Sequence, residues 1–220
     1  MILATIIRDL KLTYNNIGQI LNNVIFFIIA SSIFAIISAK TNILNHLTGQ
    51  VSIIWFCLLF SIIIGINNFL KDDYEDGTLE QILIKPNEFE IFIFAKFISN
   101  WLIYCLPLIL FTPLIVLILK INFDLWLQIM LVATITTLII NSIGCFCASL
   151  MLANNKNESL LSILILPLII PVIIFANSAY IVKNDNNFLD SIIFLSLIFS
   201  FLAPILVFAS SFAIKIIVKN

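Results

Sequence analysis

The chain has 220 residues, 62% of them hydrophobic and only 10% charged, with a mean hydropathy of +1.17. A water-soluble domain carries about 25% charged residues, so the composition excludes a soluble fold and indicates one membrane-embedded helical bundle. The net charge of −1 gives no pointer to nucleic acid; the partner it implies is the lipid bilayer.

Residues 2–21 read as an amphipathic helix. Leu3, Ile7, Leu10, Tyr14, Ile17 and Leu21 recur every three or four positions, while Arg8, Asp9, Lys11, Asn15 and Asn16 fall off that line. Such a helix lies in the headgroup plane. The same charges interrupt the apolar run, and no small-residue cleavage site follows, so a cleavable leader is not expected.

Six apolar segments follow, at 22–39, 51–69, 97–119, 125–152, 160–182 and 191–214. A crossing needs about 20 apolar residues, and its backbone must satisfy itself as a helix because lipid offers no hydrogen-bond partner. The expected fold is therefore an all-α integral membrane protein with six transmembrane helices behind an interfacial helix. Counting alternate sides, Arg8, Lys11, Lys71, Lys85, Lys96, Lys156, Lys215 and Lys219 fall on one face and Lys40, Lys120 and Lys183 on the other. The positive-inside rule puts the richer face, with both termini, in the cytoplasm.

The long polar interruption is the 70–96 loop, also on the cytoplasmic face. Its core, Lys71 to Pro86, reads KDDYEDGTLEQILIKP and carries Asp72, Asp73, Glu75, Asp76 and Glu80. Asp76-Gly77 signals a turn, because glycine accepts positive φ without steric cost. Thr78 and Gln81 have the spacing of a capping box. Glu80 meets the positive end of a helix dipole, and Leu79, Ile82 and Leu83 share one face. Pro86 ends the helix, and Asn87 can cap the next. A calcium loop fails: with Gly77 sixth, Tyr74 would be third and Leu83 twelfth, neither a suitable oxygen ligand. Two readings remain, a solvated acidic loop or a docking surface for another protein. Lys96 marks the membrane border.

Within the spans, Pro107, Pro113, Pro167, Pro171 and Pro204 each remove a helix hydrogen bond and invite a kink, static or flexing. Asn141, Ser142 and Gly144 suit close helix packing or an interhelical hydrogen bond, and Asn177 does likewise. Cys57, Cys105, Cys145 and Cys147 read as small buried hydrophobes. His46, in the first outer loop, reads as a solvated side chain rather than a metal or heme ligand. With no carboxylate or lysine mid-span, ion-coupled transport is disfavoured. The sequence has no phosphate-binding P-loop, no H-E-x-x-H and no G-x-S-x-G, so catalytic and metal residues are absent and any energy comes from another subunit.

GTLEQ-I-L-x-x-P in a loop between the second and third spans resembles the ATPase-contact loop of ABC exporter permeases. The lead-in FLKDDYEDGTLEQ and the run LSILILPLIIPVIIFA at 161–176 are similar to the CcmB family, the permease subunit of the cytochrome c maturation system. The length, the six spans and the interfacial helix fit as well. The resemblance implies a homodimeric permease in a bacterial inner membrane or its mitochondrial counterpart, paired with two copies of an ABC ATPase. It also implies a heme-handling membrane subunit, a small membrane peptide and an outer heme chaperone as partners. Asp72, Asp73, Asp76, Gly77, Thr78, Leu79, Glu80 and Gln81 match the docking loop. Heme enters as a substrate and ATP only through the partner. Whether heme crosses, or ATP drives release of loaded chaperone, stays open. So do a passive scaffold for heme delivery and an exporter of drugs or polysaccharide.

Overall fold

The computed structural model describes residues 2–15, 17–40, 47–66, 69–84, 88–152, 158–180 and 185–219. The elements are α1 (Ile2–Asn15), α2 (Ile17–Lys40), α3 (Leu47–Ile66), α4 (Lys71–Glu75), α5 (Thr78–Leu83) and α6 (Glu88–Asn100). A π-helical turn (Trp101–Cys105), α7 (Leu106–Ile118), a 3-10 turn (Phe123–Leu125), α8 (Trp126–Met151), α9 (Glu158–Ser178) and α10 (Asp185–Lys219) complete the chain. Among the described residues there is no strand, as the backbone rule for lipid requires.

Among the described residues, five helical stretches are long and apolar enough to cross a membrane: Ile17–Ile37, the one carrying α3, Glu88–Ile118, Trp126–Met151 and Phe188–Val218. The segment expected to be the other crossing, 160–182, falls on α9 (Glu158–Ser178), where the apolar stretch among the described residues, Ile163–Ser178, is shorter; 181 and 182 lie outside them. This multi-pass membrane bundle is built around α3, where Ile54, Trp55, Leu58, Ile62 and Ile66 are fully enclosed. On α10, by contrast, Ile193, Leu197, Phe201, Ile205, Phe208 and Phe212 face outward. Apolar side chains can stay outside because lipid tails solvate them as well as a protein core would.

Small residues set how closely the helices approach. Ile66 of α3 fills the space where Gly144 of α8 has no side chain. A Cβ on Gly65 would lie 2.6 Å from Asn23 Nδ2 and 2.7 Å from Tyr104 Cγ, so α2, α3 and the π turn meet on that glycine. The π turn sits just before Pro107, which has no N–H to offer the preceding turn; widening the helix by one residue accommodates the gap. Pro113 lies inside α7, Pro167 and Pro171 inside α9 and Pro204 inside α10, and each helix is continuous through its prolines. The four cysteines are free and buried.

The expected 2–21 helix falls on α1 and the start of α2, with Asn16 between them outside the described residues; on α2, Gln19 Oε1 accepts from Tyr104 OH at 3.0 Å. The predicted apolar line of α1 is its outward side: Leu3, Ile7, Leu10 and Tyr14 are exposed, while Thr5 and Asp9 are buried against the protein. At a membrane surface the greasy stripe has lipid to meet, so the polar stripe is the one that seeks protein partners. His46, Pro86 and Asn87 lie outside the described residues.

Candidate functional site

The polar segment is a folded platform. Phe69 stacks edge-on against Phe97 of α6, with ring centroids 5.5 Å apart. Leu70 is buried with a φ of 61°, a left-handed conformation that costs an ordinary residue about 1–2 kcal/mol. From there α4 makes one turn, and Asp76 N donates back to Asp72 O at 2.9 Å. Gly77 has a φ of 69°, as the turn signal predicts, and starts α5. Leu79 of α5 is fully buried, and Ile82 and Leu83 are partly so.

The capping box does not form. Gly77, not Thr78, is the cap residue; no side chain caps the helix, and Gln81 N donates to Gly77 O at 3.3 Å. The left-handed glycine turns the chain into the helix one residue early, which puts Thr78 inside the first turn. Glu80 does lie in that turn.

The acidic residues divide into two sets. Asp72, Glu75, Asp76, Glu80 and Gln81 are exposed, and Gly77 and Thr78 are half-buried. Asp73 points the other way and is 6% exposed. It meets Arg8 Nη2 at 2.7 Å, and its second oxygen meets Lys96 Nζ. Asp9, also 6% exposed, accepts from Arg8 Nη2 at 3.1 Å and from Lys96 Nζ at 2.9 Å. Each cation therefore touches both carboxylates, and α1, α4 and α6 meet in a closed ring of zero net charge. The ring of Phe92 lies under both cations, 5.7 Å from the Arg8 guanidinium and 5.8 Å from the Lys96 ammonium. Burial disfavours the Arg8 cation, but Asp73 and Asp9 more than offset that, and its pKa is raised. An open cavity of about 330 Å3 lies beside the ring, edged by Thr13, Gln19, Asp72, Asp76 and Tyr104.

One turn beyond Lys96, Asn100 Nδ2 donates to Asn141 Oδ1 at 2.7 Å, and Asn141 Nδ2 donates to Phe97 O at 3.1 Å. This is the interhelical bond expected of Asn141. Asn177 makes no equivalent bond through Oδ1, which is buried without a partner among the described residues. Near the other end of α6, Lys215 of α10 reaches Glu90 at 3.0 Å. Among the described residues no His, Cys, Asp and Glu side chains cluster in a way that could hold a metal ion.

Sequence reasoning placed Asp73 among the docking residues of the cytoplasmic loop and Lys96 at the membrane border, and it overlooked Arg8, Asp9 and Asn100 as site residues. One signal was available. Isolated charges in so apolar a chain must find one another, since a lone buried ion is prohibitive.

Residues 1–219 match the family described as CcmB protein. The chain belongs to the CcmB family. It is similar to the heme exporter protein B of Haemophilus influenzae, 31% identical over 177 residues that cover 80% of this chain and 79% of that one. It is also similar to the heme exporter protein B of Pseudomonas aeruginosa, 27% identical over 173 residues, covering 78% and 77%. The Escherichia coli protein of the same name is 27% identical over 172 residues, again covering 78% and 77%. As a CcmB-family chain it thus presents an acidic two-helix platform on one side and a neutralised ion ring beneath it.

Proposed function

We propose that this chain is the membrane permease subunit of an ABC transporter in cytochrome c-type biogenesis, and that α4 and α5 receive the separate ATPase. The observation that carries this is the two-sidedness of the platform: exposed Asp72, Glu75, Asp76, Glu80 and Gln81 over an anchored underside of Leu79 and Asp73. A solvated loop has no reason to be anchored at a cost in backbone strain; a surface that receives force does. The names of the relatives bring heme export to this chain, and the family resemblance brings the homodimer, the inner membrane, the heme-handling subunit, the small peptide and the outer chaperone. The permease has no catalyst of its own, and ATP acts through the partner, either to export heme or to release loaded chaperone.

The reading includes six crossings with both termini in the cytosol. In its support, Arg8, Asp73 and Lys96 meet at one end of the bundle, and Lys215, near the C-terminus, pairs there with Glu90 of the same α6. Termini on one side require an even number of crossings, which α9 supplies when added to the five longer helices.

Two measurements test it. In Glu80→Lys and Gly77→Val, co-purification of the ATPase falls roughly tenfold, the equivalent of about 1.4 kcal/mol, with insertion intact. The Gly77 effect comes through the backbone: a Cβ there meets nothing within 4 Å, but valine is strained at a φ of +69°. Wild-type recovery of the ATPase from both variants contradicts the docking role. Separately, Thr78→Cys reacts with membrane-impermeant thiol reagents from the cytosolic side; labelling from the opposite side inverts the topology and removes the reading.

A further inference from the structure

Two kinds of contact attach the platform to the bundle. Leu79, Ile82, Leu83 and the Phe69–Phe97 pair are apolar, and apolar contact is non-directional, so one surface can slide on another. The ion ring is directional and closed. Asp73 cannot leave Lys96 or Arg8 without stranding a charge in a poorly solvated site. Lys96 is the member on the membrane helix. That helix continues from α6 through the π turn into α7 as the stretch Glu88–Ile118. Residues four apart share a helix face, so Asn100 extends the Lys96 side, and through Asn141 it bonds α8. The platform is thus joined by polar bonds to α6 and, one turn deeper, to α8, while Arg8 and Asp9 add α1 to the same body.

We infer that Arg8, Asp9, Asp73 and Lys96 form a clamp that makes α1, α4 and α6 move together, with Lys96 the positioning residue that transmits platform motion into the membrane. The inference rests on the docking reading above and deepens it: docking needs the exposed acidic side, transmission needs the buried one. A residue that only stabilised the fold would lower every activity in proportion to the protein lost. A transmitting residue separates hydrolysis from output.

The test uses the full complex with its ATPase and the paired variant Asp73→Asn/Lys96→Met. Removing one charge of each sign leaves the Arg8–Asp9 pair and no stranded ion. Complex abundance, ATPase co-purification and ATP hydrolysis in membrane vesicles are expected to stay within about twofold of wild type, while cytochrome c maturation falls about tenfold, inside the usual range for a coupling between sites. Lys96→Arg, which keeps the charge, is expected to restore most of the maturation. Wild-type maturation in the paired variant overturns the clamp. So does loss of the paired variant from the membrane, which assigns the ring to folding alone. Failure of the docking reading looks different: Glu80→Lys and Gly77→Val, which leave the ring untouched, would then recover the ATPase at the wild-type level.

Discussion

Lys96→Met alone is expected to deplete the protein from the membrane. The ammonium touches both Asp9 and Asp73, and its side chain is only 13% exposed. Without it two carboxylates, each 6% exposed, share the single Arg8 cation. Breaking a buried ion pair from one side costs about 3–5 kcal/mol, because the remaining charge is left uncompensated. Against a total stability of about 5–15 kcal/mol, that loss is large. Arg8 is 37% exposed and its surroundings admit some water, which places the effect toward the lower end of the range. Thermal unfolding of detergent-solubilised protein should show a clear drop in midpoint. The paired Asp73→Asn/Lys96→Met variant should recover most of it, since the charge balance returns. An unchanged midpoint in the single variant would mean the ring is solvated and contributes little.

Gly65→Val carries the second large effect. Its Cβ would fall 2.6 Å from Asn23 Nδ2 and 2.7 and 2.8 Å from ring carbons of Tyr104. An aromatic ring cannot bend aside as the tip of a flexible chain can, and Tyr104 is also held by its hydroxyl, which donates to Gln19. Either α2 and the π turn move apart or the tyrosine leaves its site. Overpacking of this kind costs about 1–3 kcal/mol. The corresponding change at Gly144 is milder in principle, because the atom in the way is the terminal Cδ1 of Ile66, which has other rotamers. Comparing the unfolding midpoints of Gly65→Ala and Gly144→Ala tests this; a larger loss at Gly144 would contradict the geometric argument.

Gly77 shows what local reading can and cannot do. The Asp76-Gly77 pair marked the turn, and the positive φ is there. The capping box three residues on had equally good spacing and did not form, because the glycine itself became the cap. Spacing names compatible motifs; where the helix actually begins selects among them. The helix α1 makes the same point on a larger scale. Its period identifies two faces, but which face meets protein depends on the solvent, and at a bilayer surface the assignment is opposite to that of a soluble domain.

The residues by themselves determined that this chain is helical and membrane-embedded, that its long polar interruption at 71–86 is acidic with turn and helix signals, and which family it resembles. Those properties are written in composition, run length and short-range spacing, all of which act within a few turns of chain. Only the tertiary structure decided that Asp73 faces inward and that Lys96 is its counter-ion. The partners of the ring lie 65 and 87 positions apart along the chain, from Arg8 to Asp73 and from Asp9 to Lys96. A charge announces that it needs a partner; only the packing of α1, α4 and α6 brings a particular one within 3 Å.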